Sequence, residues 1–200
     1  MAGNIRIRLA TAADAPSVLE IYAPFITDTA ITFENEVPGE EEFAERMEAV
    51  QQKYPWLVCE DCGNIVGYAY ASRFQQRAAY EWSAALSVYI RPGFHGRKIG
   101  KALYFTLLEL LKLQGFCNAV AIVTLPNGES EDFHRSVGFR PIGIFQKAGY
   151  KLGSWHDVIW FGLNIQAHPQ TPKRPMAVGE IQNTPAFDAI IQKAERMITV

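Results

Sequence analysis

The chain has 200 residues, 48% of them hydrophobic and 20% charged, and a formal net charge of −2. Such a length builds one domain with a substantial core, and the slight acidity leaves no dominant basic face for nucleic acid. No apolar run approaches the ~18 residues of a membrane span, and Met1-Ala2-Gly3-Asn4-Ile5-Arg6 lacks an apolar leader core, so a cytoplasmic protein engaging neither membrane nor nucleic acid is expected.

Ile5–Leu9 reads as a short strand, after which Thr11-Ala12-Ala13-Asp14 opens a helix with Val18, Leu19 and Tyr22 on one face. Pro38-Gly39-Glu40 precedes an acidic helix that turns Phe43, Met47 and Val50 inward. Residues 56–60 and 65–74 form a hairpin across Gly63-Asn64, and residues 80–90 extend the sheet. Cys59-Glu60-Asp61-Cys62 has metal-ligand spacing, but no second pair or closely spaced histidines complete a site, so it reads as a strand end and turn; three cysteines make no disulfide framework. Residues 100–114 are a helix with Leu103, Leu107, Leu110 and Leu111 at core spacing. A buried strand at 119–124, a short helix at 130–137 ending at Gly138, and strands near 140–148 and 158–163 complete a mixed α/β domain with one central sheet, residues 1–165.

The tail breaks this pattern. Residues 166–184 carry Pro169, Pro172 and Pro175 and read as a linker rather than packed structure. Beyond it Thr184 suits a cap and Pro185 the first helical position, and Phe187, Ile190, Ile191, Ala194, Met197 and Ile198 share one face of a C-terminal helix at 185–200. That face docks either on its own domain or on a neighbouring subunit, the alternative being a frayed tail.

Residues 80–104 combine an apolar strand, a basic Gly-rich turn and an amphipathic helix. A helix start leaves backbone N–H groups unpartnered and carries positive dipole, so Gly96 and Gly100 for close approach, with Arg97, Lys98 and Lys101 for charge, make a cradle for pyrophosphate. A nucleoside triphosphate loop is excluded, because His95 stands where it needs Gly and Ala102 where it needs Ser or Thr. The G-x-G-x-x-G dinucleotide fingerprint is absent as well. The turn is similar instead to the Q/R-x-x-G-x-G/A turn that holds the pyrophosphate of coenzyme A in the GCN5-related N-acetyltransferases, with Lys98 where that family usually has Gly.

Three further blocks strengthen the resemblance: residues 54–82, with Tyr-Pro-Trp-Leu-Val, Gly-Tyr-Ala-Tyr-Ala-Ser and Arg-Ala-Ala-Tyr-Glu-Trp; Leu125-Pro126-Asn127 followed by His134 and Gly138-Phe139; and Ala148-Gly149-Tyr150-Lys151-Leu152-Gly153-Ser154-Trp155-His156-Asp157-Val158. Over roughly residues 5–165 the chain resembles the phosphinothricin N-acetyltransferase branch of that superfamily. The resemblance implies the GNAT fold, a central, mostly antiparallel twisted sheet flanked by helices, with acetyl-CoA as cosubstrate, a small amine as acceptor and a homodimer. It also implies that the backbone of Val88, Tyr89 and Ile90 pairs with the pantetheine arm and that Gly96, Arg97, Lys98, Ile99, Gly100 and Lys101 hold the pyrophosphate. Asn127 would contact the cofactor, although Pro126-Asn127-Gly128 alone reads as a turn. His134 stands where many relatives carry the Tyr that protonates the departing thiolate, and Arg77, Tyr80 and Phe33 fall on the acceptor side. Alone, His134 would read as structural and Arg77 as a surface charge.

The chain departs from those relatives at Ala85, where they carry the Glu proposed as amine base. Glu81 lies four extended residues away, roughly 13 Å, too far to substitute. An α-amine is neutral in roughly a tenth of molecules at pH 7, and general-base help is worth about 10²- to 10⁴-fold, so activity is weakened or redirected rather than abolished. The expectation is an N-acetyltransferase for a small amino-acid-like acceptor of the phosphinothricin or methionine sulfoximine type, the alternative an acyl-CoA-binding module with weak or lost catalysis.

Overall fold

The computed structural model describes residues 5–199; the start read at Met1 to Asn4, and Val200 of the tail, lie outside the described residues. Seven strands, β1 (Ile5–Leu9), β2 (Trp56–Asp61), β3 (Asn64–Arg73), β4 (Ser83–Ile90), β5 (Asn118–Leu125), β6 (Arg140–Lys151) and β7 (Ser154–Asn164), form one sheet in the order β1-β2-β3-β4-β5-β7-β6. Every neighbouring pair is antiparallel except β4–β5. Parallel strands need a crossover helix, and α3 (Ile99–Gln114) supplies it.

Helix α3 forms where the sequence predicts it, from Leu103, Leu107, Leu110 and Leu111 at helical spacing, all four fully buried on the sheet. Gly115 ends it with φ 100°, a left-handed cap that glycine adopts without strain. On the opposite face α1 (Ala15–Thr27) and α2 (Glu40–Gln51) bury Val18, Tyr22, Phe43 and Met47 against Trp56 and Tyr68. The three acids of the first turn of α2 complement its dipole. A short α4 (Gly128–Ser136) follows β5.

The decisive feature is where pairing stops. Strands β4 and β5 are in register only from Ser83↔Asn118 to Ala85↔Val120. Beyond Ala85, β4 keeps its ladder to β3 as far as Ile90, but its other edge has no strand partner. The sheet opens there in a V, walled in part by Tyr104 of α3 and by Ser130 and His134 of α4.

Two expectations are corrected. Residues 80–82 do not extend the sheet: the carbonyls of Arg77 and Ala78 accept from the N–H of Tyr80 and Glu81, closing a 3-10 turn over 78–80, and β4 begins at Ser83. Nor is the whole segment after residue 165 a linker: residues 166–174 are exposed and irregular, but the part that follows is packed. Gln114 Nε2 donates to the carbonyls of Lys53 and Met176, and the N–H of Val178 donates to Lys53 O, which seats α5 (Val178–Ile181) with both Val178 and Ile181 buried. Helix α6 (Pro185–Glu195) is capped by Thr184, whose Oγ1 accepts from Phe187 N at 3.2 Å. Its apolar face packs into the core shared with α3, and Glu195 Oε1 accepts from the N–H of Ile7. The helix docks on its own domain.

Cys59 is buried in β2 and Cys62 lies in the turn with Gly63; among the described residues no cluster of three metal-ligating side chains exists and no helix is long and apolar enough to cross a membrane.

Candidate active site

The V between β4 and β5 continues into a cleft of about 540 Å³ whose walls include Val88, Tyr89 and Ile90 of β4, the turn at Gly96 and Lys98, the first residues of α3, and Asn127. No side chain caps the start of α3, so its free N–H groups point into the cleft with the positive end of the helix dipole. Gly96 has φ 81° and Lys98 φ 62°, both left-handed. Glycine adopts that conformation freely, whereas Lys98 does so at a cost of about 1 kcal/mol, which accounts for the glycine usual at this position. Lys98 and Lys101 line the cleft.

Arg97 does not join them. Its guanidinium pairs with Asp61 at 3.3 Å and lies 4.8 Å over the Phe94 ring, while its carbonyl accepts from Thr199 N. The residue anchors the turn to the β2–β3 end and to the tail. Asn127 is the N-cap of α4, its Oδ1 accepting from Ser130 N at 3.2 Å, and among the described residues its Nδ2 has no partner. The turn and the cofactor readings of Asn127 are thus compatible: the amide oxygen builds the helix while the residue lines the cleft.

A smaller cavity of about 70 Å³ fills the V, between Leu86 to Tyr89 on one strand and Ile122 to Thr124 on the other, with Tyr104 and His134 at its base. His134 is buried, its ring stacked 5.5 Å from that of Phe161. Its Nδ1 lies 2.7 Å from Ser130 O, an acceptor only, so Nδ1 carries the proton and Nε2 accepts from the Tyr104 hydroxyl at 2.9 Å. Burial holds the imidazole below the usual histidine pKa, partly opposed by the Ser130 carbonyl. His134 is therefore neutral with both nitrogens engaged, and Tyr104 connects it to the cavity. The sequence reading missed Tyr104, which sits at a core position of α3 and looks like any buried aromatic.

At the point where the V closes, Ala85 is level with Ser72 of β3 and Val120 of β5. One step along β5, Ile122 is 49% exposed although it lies in the middle of the sheet, beside Trp160 of β7. Phe74 meets Trp160 and Tyr80 edge to face, at 5.9 and 5.6 Å, so Tyr80 belongs to an aromatic wall. Arg77 is exposed and makes no ion pair among the described residues.

Phe33 does not line the cleft; Ile31, which the sequence reading passed over, does. The Phe33 ring lies on Gly149, where a Cβ would come within 2.3 Å of it. The buried Lys151 donates through Nζ to Thr32 O at 2.7 Å, and His156 Nε2 lies 3.0 Å from Lys151 O. Asp157 Oδ1 accepts from Lys147 N across the bulge of β6. The Ala148-to-Val158 run thus clasps the loop between α1 and α2 against the sheet.

The profile of the acetyltransferase (GNAT) domain matches residues 7–160. The chain is 36% identical over 173 residues to a phosphinothricin N-acetyltransferase of Streptomyces viridochromogenes, covering 86% of this chain and 94% of the relative. It is 31% identical to an L-methionine sulfoximine/L-methionine sulfone acetyltransferase of Pseudomonas aeruginosa, covering 83% of this chain and 98% of that one. A phosphinothricin acetyltransferase from Sinorhizobium meliloti, solved in complex with AcCoA, matches with a TM-score of 0.80 and 32% identity over 88% of this chain and 96% of the other. With profile, relatives and fold in agreement, the chain belongs to the GNAT superfamily and is an N-acetyltransferase.

Proposed function

We propose that the protein transfers the acetyl group of acetyl-CoA directly to the primary amine of a small amino-acid-like acceptor, of the kind that the names of its phosphinothricin and methionine sulfoximine relatives indicate. The observation that carries this reading is the unpaired edge of β4 running into the uncapped start of α3. An extended amide-bearing arm can pair along such an edge, and a pyrophosphate can sit on the helix N–H groups beside Lys98 and Lys101. Acetyl-CoA supplies the activated thioester. The protein's part is to orient it, with Val88, Tyr89 and Ile90 along the arm, Gly96, Ile99 and Gly100 leaving backbone accessible at the phosphates, and Asn127 Nδ2 directed at the arm's polar groups. Tyr104, whose hydroxyl proton rests on His134 Nε2, shares the V with the hydroxyls of Ser87, Thr124 and Ser130, and by turning its O–H from the imidazole to the cavity it can assist the departing sulfur.

Thioester turnover with a panel of amines, alongside calorimetric titration with CoA, tests the reading: CoA binding with acetyl transfer supports it. Ala85 favours a second reading, an acyl-CoA-binding module, because no carboxylate stands there. Binding without transfer to any amine up to about pH 9 selects that reading instead. We also propose a homodimer. The exposed Ile142, Ile144 and Phe145 of edge strand β6, with Tyr150, Leu152 and Trp155 at its hairpin end, support it, and sedimentation tests it.

A further inference from the structure

We propose that the C-terminal tail braces the donor site from outside: the Thr199 N–H holds the turn before α3 in the shape that binds the pyrophosphate of acetyl-CoA. The inference rests on the acetyl-CoA reading above and adds a positioning residue to it, in a tail that lies beyond residue 160, where the family match ends.

The turn has little of its own to fix it. Gly96 and Lys98 are both left-handed, at φ 81° and 62°, and no side chain caps α3. Among the described residues the only backbone hydrogen bond of Arg97 is the one its carbonyl accepts from Thr199 N, at 3.0 Å. The peptide between Arg97 and Lys98 is trans, so its carbonyl and its N–H point in opposite directions. Drawing the carbonyl toward the tail therefore turns the Lys98 N–H away from the tail. Lys98 lines the cleft, and among the described residues its N–H has no backbone partner. A free N–H at the uncapped start of a helix is the kind of donor that a phosphate oxygen takes.

The tail can hold its end in place because it is anchored along its length. Ala194 is fully buried and Phe187 nearly so, Lys193 Nζ lies 5.0 Å over the Phe105 ring of α3, and Glu195 Oε1 accepts from Ile7 N at 2.9 Å. The N–H groups of Met197 and Ile198 donate to the carbonyls of Ala194 and Glu195, so a closed turn carries the chain from α6 to Thr199. On its other side Arg97 is tied to Asp61 at 3.3 Å. The turn is thus held between β2 and the tail, and it is ordered before the cofactor arrives. Coupling of this kind is reciprocal: acetyl-CoA seated on the turn strengthens the docking of the tail by the same factor by which the tail strengthens acetyl-CoA binding.

The test is calorimetric titration of the full-length protein and its variants with CoA, alongside steady-state kinetics. Thr199→Pro removes the N–H and should raise the CoA Kd about tenfold, as should a chain ended at Ile198, which lacks the same donor and imposes no proline ring. Thr199→Ala keeps the N–H and should bind as the wild type does. In turnover the loss should fall on the KM for acetyl-CoA, with kcat and the acceptor KM unchanged, and CoA should slow exchange of the Thr199 amide in the wild type. An unchanged Kd in the proline and shortened variants, or Thr199→Ala weakening binding as much as Thr199→Pro, overturns the inference; where Gly100→Val still weakens CoA binding, the acetyl-CoA reading stands. Wild-type protein that binds no CoA overturns both.

Discussion

The donor and acceptor ends that the proposed reaction gives the cleft are made of different material. The donor end is backbone: the free edge of β4, the uncapped first turn of α3 and the glycine-shaped turn between them. The acceptor end is side chain, delivered by separate elements: Ile31 from a loop, Ala85 from β4, Ile122 from β5 and Trp160 from β7. Backbone is common to all residues, so the donor end absorbs a change such as Lys98 for glycine. A side-chain wall is rewritten by one substitution, and Ala85 is such a substitution.

The contrast predicts which changes strike which end. The largest effect is expected from deleting residues 176–200, which strips Val178, Ile181, Phe187 and Ala194 from the core and removes the Thr199 bond to the carbonyl of Arg97 in the donor turn. A loss of several kcal/mol at ~25 cal/mol per Å² should lower Tm by about 10 °C or more, and an unchanged melting curve would mean that the docked tail contributes nothing. Next, Gly100→Val should weaken CoA binding by about 10²-fold in calorimetry with the fold retained. A Cβ at Gly100 meets Phe133 at an ordinary 3.5 Å, so the fold tolerates it, while the two valine methyls add bulk beside the proposed phosphate cradle. Unaltered affinity in the folded variant would move the donor site elsewhere.

Removing the imidazole comes third. His134→Ala should lower kcat by about 10²-fold while changing the KM for acetyl-CoA little, with Tyr104→Phe following in the same direction. A variant with wild-type kinetics would make the pair structural. Gly149→Ala should strike the other end, pushing Phe33 and its loop off the hairpin at a cost of about 1–3 kcal/mol. Its signature is a raised acceptor KM with donor affinity retained, and the reverse pattern would break the division. The smallest effect is on stability against pH. Burial holds the folded-state pKa of His134 below its ordinary 6.5, so below that pH the unfolded chain binds a proton that the folded one refuses. This contribution is full above pH 6.5 and is lost as pH falls toward the folded-state value, and His134→Gln should flatten the Tm profile in that window.

The elements were legible because their periods are strong: α3 and the β2–β3 hairpin lie within a residue or two of where spacing and turn residues put them, and α6 starts at the expected Pro185 but ends at Glu195, short of the expected 185–200. The second half of the proline-rich segment, from Pro175 on, was misread for a physical reason. Its hold on the domain comes from Gln114 and the Lys53 carbonyl, partners more than 60 residues away that local composition does not encode. The donor turn was readable as a strand, glycines and a helix start, but the direction of Arg97 was not, since that depends on Asp61 across the sheet. Tyr104 was hidden because a hydroxyl at the end of a core aromatic leaves no mark in a hydrophobic pattern. Ile122 was read as one more buried strand residue, and only the divergence of β4 from β5 exposes it.

Hydrogen exchange at the amides of residues 86–90, with and without acetyl-CoA, tests the central claim most directly, because it reads the free edge of β4 itself. Pairing of the pantetheine arm with that edge predicts slower exchange there and at the first turn of α3, with Gly100→Val abolishing both. Acetyl-CoA that binds while these amides exchange at an unchanged rate would contradict the account.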